Sequence, residues 1–391
     1  MKILQVISYF YPAWSYGGPG KLVYDLSKRL AALNHKVTVL STDAYSENKR
    51  RGNVKIPQLK NLNLKIFKNF SNFLAFRFKF FLPLSAYSAT TKDLKNYDII
   101  HLHEFFTFYA VTVSHFAHLY KIPYLVSAHG TLDSFHLRHL LFLKRLFMIF
   151  FGNRIIKNAD GFIAATPDEI EEYVSLKVHK EKISYIPNGV DLSEFADLHP
   201  KGRFRKKIKL ASTVNLILYL GRINKLKGLN VLLEAFTKLS EKIDCRLVIA
   251  GSDDGYLTEF KADAKRKGCL NSIIFPGILS GREKLEAYTD CDVFMYPSPS
   301  EGFSIAVLEA AAAGLPLVIT TGCKFPQVAE NKAGIIVKPN KNSFFQALLK
   351  ILTSQRLSKS MGKNARHLVR QNYSIDKMAI KLISCYKNLK S

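Results

Sequence analysis

The chain predicts an α/β protein of two doubly wound domains, each a parallel sheet with helices on both faces. Three observations carry that expectation. Short apolar runs alternate with amphipathic stretches along the whole sequence, and the alternation breaks at a basic, poorly patterned stretch at 200–209 before starting again. The length, 391 residues, suits two cores of ordinary size.

In the first half, strands are expected at residues 3–8, 36–40, 99–103, 124–127, 161–164 and 183–186. A helix is expected over 21–33, where Leu22, Leu26, Leu30 and Leu33 recur near helical spacing. In the second half, strands are expected at 215–220, 246–250, 272–275, 292–296, 317–320 and 334–337, with helices over 229–242 and 343–352. The expected domains are therefore 1–199, joined by a terminal helix from 373–391, and 200–372, with 200–209 as a linker. Such sheets bind ligands at the C-terminal ends of their strands, here in a deep cleft between the two domains.

Composition narrows the function. Lys and Arg number 57 against 31 Asp and Glu, a formal charge of +26, which calls for a polyanionic partner: nucleic acid, an anionic membrane or phosphorylated ligands. At 48% hydrophobic and 23% charged residues the chain is neither disordered nor coiled coil. The five cysteines, Cys245, Cys269, Cys291, Cys323 and Cys385, form no CxxC pair, so a reducing cytosol is expected and not a disulfide framework or zinc site. The apolar N-terminus is short and reads as a first strand, and no run approaches the ~20 apolar residues of a membrane span.

One stretch stands apart. Between Glu47 and Asp93 there is no acidic residue, while Lys and Arg interleave with Phe67, Phe70, Phe73, Phe76, Phe78, Phe80 and Phe81. A second basic, aromatic stretch runs over 135–157. That composition suits a surface resting on anionic lipid, against the alternative of core helices whose basic stems snorkel. RNA binding has no supporting motif, so no nucleic-acid partner is expected.

The segment richest in chemistry is Tyr296-Pro297-Ser298-Pro299-Ser300-Glu301-Gly302-Phe303-Ser304, running on to Glu309. A strand ends in a Pro/Ser/Gly loop and a helix begins near Ser304. Amides of Gly302, Phe303 and Ser304 at the helix start suit a diphosphate. Carboxylates only accept hydrogen bonds, so Glu301 suits sugar hydroxyls and Glu309 the hydroxyl pair of a ribose. Two glutamates eight apart arise by chance in a chain of this composition; the strand–loop–helix setting carries the weight. Upstream, Gly221-Arg222 closes a strand, and Lys225 and Lys227-Gly228 follow, cations placed to neutralise a diphosphate leaving group, unless they simply line a solvated turn.

In the first half, Tyr16-Gly17-Gly18-Pro19-Gly20 lies between strand and helix and resembles a phosphate-cradling turn, but it is not GxGxxG, and nicotinamide binding is weakly supported. Ser127-Ala128-His129-Gly130 ends another strand, placing His129 for a ligand hydroxyl. His101 and His103 share one face, but a third metal ligand at convincing spacing is missing, so no metal is expected.

Taken together, these segments resemble the GT-B glycosyltransferases of the large, retaining family-four group, also called glycosyl transferases group 1. The resemblance rests on Gly17-Gly18-Pro19, Ala128-His129-Gly130, Ile186-Pro187-Asn188-Gly189-Val190-Asp191, Gly221-Arg222 with Lys227-Gly228, and Glu301 with Glu309, in that order, and covers nearly the whole chain. It implies two Rossmann-like domains, with a final helix, from Tyr373-Ser374-Ile375-Asp376 onward, crossing back onto the first. It implies that Arg222 and Lys227 bind the donor diphosphate, Glu301 the transferred sugar, Gly302, Phe303 and Ser304 sugar or phosphate through backbone, and Glu309 the ribose. His129 would lie beside the reacting sugar and Gly18 near the diphosphate. No metal or other cofactor is implied, because Arg and Lys take the metal's place.

The expected activity is transfer of a hexose-type sugar, with retention, from a nucleotide-diphosphate sugar to a glycan, in surface polysaccharide or glycolipid synthesis. The acceptor would be lipid-linked and the enzyme cytoplasmic, peripheral on the inner face of the membrane. The stretch 45–95 matches no acceptor pattern of that family. Two other readings compete: a nucleotide-sugar epimerase on the same fold, and a non-catalytic basic protein that binds RNA or lipopolysaccharide.

Overall fold

The computed structural model describes residues 1–52, 54, 56–83, 93–133 and 141–390. It divides into two compact units, Met1–Gly189 with Ile375–Ser391, and Val190–Ser374. These limits fall ten residues before the expected boundary at 199 and two after the expected 373.

The first unit is built on a seven-stranded parallel sheet in the order β3-β2-β1-β4-β5-β6-β7. Its strands are β1 (Lys2–Val6), β2 (Lys36–Thr42), β3 (Leu62–Phe67), β4 (Ile99–Leu102), β5 (Tyr124–Val126), β6 (Gly161–Ala164) and β7 (Ile183–Tyr185). The central strands are buried on both faces, which is why they read as continuous apolar runs. Helix Pro19–Ala32 starts with Pro at its first turn and buries Leu22, Leu26 and Leu30. The final helix, Ile375–Lys390, belongs to this unit, as expected. It buries Met378, Ala379, Leu382 and Tyr386, and Arg29 pairs with its Asp376 at 2.5 Å.

The second unit is built on a six-stranded parallel sheet, β10-β9-β8-β11-β12-β13. Here the strands are β8 (Asn215–Leu220), β9 (Cys245–Ala250), β10 (Ile273–Gly277), β11 (Val293–Tyr296), β12 (Leu317–Thr320) and β13 (Gly334–Val337). One apolar core fills both of its faces, including Leu216, Leu218, Leu232, Phe236, Val248, Phe294, Leu308 and Leu348.

One expectation is corrected, and two elements are added to those expected. The stretch 200–209 is not a linker: helix Arg203–Lys207 forms there, and Arg205 is buried. The Asp290 carboxylate accepts from the Gly202 and Arg205 amides, and the Arg205 guanidinium donates to the carbonyls of Val214 and Asp290 and to Asp292. The basic stretch after Glu47 holds β3 and helix Asn72–Phe78. Phe76 and Phe81 are core residues there, whereas Phe70, Phe73, Phe78 and Phe80 are more than half exposed. Part of each basic, aromatic stretch, residues 84–92 and 134–140, lies outside the described residues.

Candidate functional site

In a doubly wound sheet the ligand position is set where strand order reverses. That point lies between β8 and β11 in the second unit, and between β1 and β4 in the first.

Because β8 and β11 are neighbours, the loops leaving them meet. Lys227, in the turn after β8, ion-pairs with Glu301, in the loop after β11, at 2.5 Å, and both side chains are about seven-eighths buried. Two glycines permit this approach. Gly228 holds φ +70°, and a Cβ there would lie 2.3 Å from the Pro297 carbonyl oxygen; one on Gly322 would lie 2.0 Å from that of Pro299. The Gly322 carbonyl in turn accepts from the Glu301 amide at 2.9 Å, fixing the loop. Helix Ile305–Ala313 follows with Ser304 as its first cap, and the Ser304 hydroxyl makes no capping bond. The first-turn amides of a helix have no intrahelical acceptor, and here they follow directly on the loop that carries Glu301.

Arg222 sits at the end of β8 and pairs with Asp254 at 2.7 Å. Its carbonyl accepts from the buried Tyr219 hydroxyl, 2.8 Å away. Both Glu301 and Arg222 act on that phenol: burial raises its pKa most, Glu301 raises it further and Arg222 lowers it. Arg222, Lys227 and Glu301 therefore converge at one end of the sheet, with each cation already facing a carboxylate. Lys225 instead turns outward to Glu259, with its side chain 71% exposed.

Glu309 lies in the second turn of its helix and is 5% exposed. Its two carboxylate oxygens accept from Lys284, at 2.5 Å, and from the Tyr288 hydroxyl, at 3.1 Å. Sequence reasoning missed both partners. They are four residues apart on helix Gly281–Asp290, hence on one face, and the only available signal was a lysine at a core-facing position. Burial first, and then Glu309, drive the Tyr288 phenol far above its ordinary range, so it stays a donor.

In the first unit, Gly18 caps helix Pro19–Ala32, and its carbonyl accepts from the Lys21 and Leu22 amides. At the end of β4, the Glu104 carboxylate accepts from the Ser8 amide at 2.7 Å, and burial pushes its pKa up to about 7. After β5, His129 takes a left-handed backbone, φ +52°, followed by Gly130 at +77°. Such a conformation in a non-glycine residue marks a strained, over-determined position. The fixing contacts are visible: Glu169 accepts from the Gly130 amide at 3.0 Å, and the Thr131 hydroxyl donates to the Ala128 carbonyl at 2.8 Å. The His129 and His103 rings stack with centroids 5.4 Å apart, and the His101 and His103 centroids are 4.0 Å apart. Alternation in β4 showed the shared face of His101 and His103, but nothing in the sequence joined His129 to them.

Comparison with known proteins agrees with this architecture. A model described as "Glycosyl transferases group 1" matches residues 200–368, and one described as "Glycosyltransferase Family 4" matches 16–194. The chain is 26% identical to an uncharacterised glycosyltransferase of Methanocaldococcus jannaschii, over 99% of this chain and 98% of that one. It is 25% identical to the O-antigen chain mannosyltransferase C of Escherichia coli, over 100% of this chain and 99% of the other. The solved structure of Anabaena HepE in complex with UDP-glucose superposes with a TM-score of 0.77 at 16% identity, covering 99% of this chain and 100% of HepE. The chain belongs to the GT-B glycosyltransferases, with a family-four first half and a group 1 second half.

Proposed function

We propose that this glycosyltransferase moves a hexose from a nucleotide-diphosphate sugar to a lipid-linked glycan acceptor, with retention of anomeric configuration and without a metal ion. The observation that carries the reading is the Lys227–Glu301 pair at the strand-order reversal, with the Glu309–Lys284–Tyr288 cluster one helix turn beyond. The donor's diphosphate and sugar divide that pair between them: Lys227 turns to phosphate and Glu301 to the sugar hydroxyls. Arg222 and the amides of Gly302, Phe303 and Ser304 add positive potential, and Glu309 holds the ribose. From the first unit, Gly18 serves the diphosphate and His129 the transferred sugar.

As the anomeric C–O bond breaks, negative charge grows on the leaving diphosphate. Each pre-placed donor or cation there can lower the barrier by about 3 kcal/mol. No divalent ion is required for that role when Arg222 and Lys227 fill it. With Glu301 given to the sugar hydroxyls, it is not left free as a nucleophile, which favours same-face attack with the leaving phosphate taking the acceptor's proton.

The lipid-linked acceptor is supported by exposed apolar side chains set among cations. Phe70, Phe73, Phe78 and Phe80 flank Arg77 and Lys79, and Phe142, Leu143, Ile149, Phe150 and Phe151 flank Lys144, Arg145 and Arg154. Among the described residues no helix is long and apolar enough to cross a membrane. These patches suit peripheral contact with an anionic bilayer, in keeping with an enzyme that works on the inner face of the membrane. The E. coli relative, an O-antigen chain mannosyltransferase by name, agrees with a surface-glycan product.

The test is mass balance. The protein is incubated with UDP-, GDP- and ADP-hexoses and a lipid-linked glycan fraction. Transfer predicts free nucleoside diphosphate in equal measure to glycosylated lipid. An isomerised donor without released diphosphate would indicate the epimerase, and polyanion binding without donor consumption would indicate the non-catalytic reading.

A further inference from the structure

Six side chains of the first unit form one continuous chain of hydrogen bonds, five of them buried and the last half-buried: Ser127, His101, Tyr386, Gln5, His103 and His129. The contacts run Ser127 Oγ to His101 Nε2 at 2.8 Å, His101 Nδ1 to the Tyr386 hydroxyl at 2.7 Å, and Gln5 Nε2 to the Tyr386 oxygen at 3.2 Å. They continue from Gln5 Oε1 to His103 Nε2 at 2.5 Å, and from His103 Nδ1 to His129 Nε2 at 3.2 Å. Gln5, His101, His103 and Tyr386 are wholly shielded from solvent.

Burial is the first cause lowering all three imidazoles, His101 to about 3, His129 to about 4 and His103 well below its ordinary value. Each is therefore neutral, with one N–H donor and one bare nitrogen. That makes the chain directional. A carboxamide oxygen only accepts, so Gln5 Oε1 requires the His103 proton on Nε2. His103 Nδ1 is then bare and accepts, so His129 must donate from Nε2. In the other direction, the Gln5 amide donates to Tyr386, Tyr386 donates to His101 Nδ1, and His101 Nε2 donates to Ser127. Turning the Gln5 amide over would reverse every member together.

We propose that Tyr386, on the terminal helix, and Gln5 and His103, on and just beyond the sheet strands, are positioning residues that hold the His129 proton on Nε2, leaving Nδ1 as a pure hydrogen-bond acceptor for a hydroxyl of the transferred sugar. Among the described residues no group hydrogen-bonds His129 Nδ1, and the strained backbone at His129 holds the ring against His103. The identity of the hydroxyl rests on the transferase reading; the protonation pattern does not. The terminal helix thereby acquires a chemical role, because its phenol accepts from the Gln5 amide and links it to His101.

The test is nitrogen NMR of the full chain labelled at histidine, with no ligand present. The expected result is one His129 tautomer, protonated at Nε2. Tyr386→Phe removes the acceptor for the Gln5 amide, which is then free to turn, so both His129 tautomers should appear. His103→Phe keeps a ring in place but removes the acceptor, and should have the same effect. With a donor that the protein consumes, Tyr386→Phe should lower kcat roughly fivefold to tenfold with KM unchanged, the loss expected for one misdirected hydrogen bond. A wild-type His129 protonated at Nδ1, or two folded variants that both keep the wild-type signature, would overturn the proposal. The expected NMR pattern without any donor turnover would overturn the transferase reading instead.

Discussion

Lys284 and Glu309 are the pair on which the second unit's site leans most heavily. Their side chains are 4% and 7% exposed, so neither charge can be left alone. Lys284→Met should destabilise this unit by about 3 kcal/mol, because it strands a buried carboxylate, and Lys284→Met with Glu309→Gln should recover part of the loss. Calorimetric unfolding of the single and double variants checks this. Gly228→Ala places a methyl against the Pro297 carbonyl in a left-handed backbone, and a cost of about 2 kcal/mol is expected from the strain, read from the same unfolding midpoint. At this scale the sequence was half legible. Glu301, Arg222 and Lys227 stood out because they follow strands and precede helices, and Glu309 because it lies on the helix that Glu301 leads into. Lys284 did not, since a lysine in an amphipathic helix normally faces water, and 25 residues separate it from Glu309. Arg205 was misread for the same reason: in a run of cations, nothing in the sequence shows which one folds inward.

Among the elements, helix Ile375–Lys390 carries the largest consequence. It follows the second unit in sequence yet supplies fully buried Leu382 and Tyr386 to the first. Deleting 375–391 should lower the unfolding midpoint of the first unit while leaving the core of the second intact, giving two separated calorimetric transitions. Acid should act on the same place. His101, His103 and His129 bind protons less readily folded than unfolded, so their contribution is present above pH 6.5, the ordinary histidine value, and is lost as pH falls towards 4 and 3. Glu104, raised to about 7, works the other way, stabilising below 4.5 and losing its contribution as pH rises through 7. Three imidazoles outweigh one carboxyl, so the first unit's midpoint should drop between pH 6.5 and 4, as followed by thermal unfolding. Most central strands were legible as apolar runs, because a parallel sheet buries both faces. β3 was hidden: Leu62-Asn63-Leu64-Lys65-Ile66-Phe67 is a half-buried edge strand inside a stretch whose charge and aromatic content dominate any reading.

For the whole molecule, net charge and exposed aromatic groups act together. A formal +26 with Phe70, Phe73, Phe78 and Phe80 in water predicts binding to phosphatidylglycerol vesicles at low salt, weakening as ionic strength approaches about 0.5 M, where screening is nearly complete within a few ångströms. Flotation against vesicles of neutral lipid is the control. The two-domain architecture was legible from strand–helix alternation and its restart. Their limits were not, because a solvated basic linker and a short helix pinned by Asp290 have the same composition.

The account's central claim is that the loops leaving β8 and β11 hold a nucleoside diphosphate. Titration calorimetry with UDP, GDP and ADP, on the full chain and on Lys227→Met, tests it most directly. At least one of the three should bind the wild-type chain, and the variant should bind it about tenfold more weakly or worse, the loss of one charge-assisted contact. Failure of all three to bind, or equal affinity in a folded Lys227→Met, would contradict the claim.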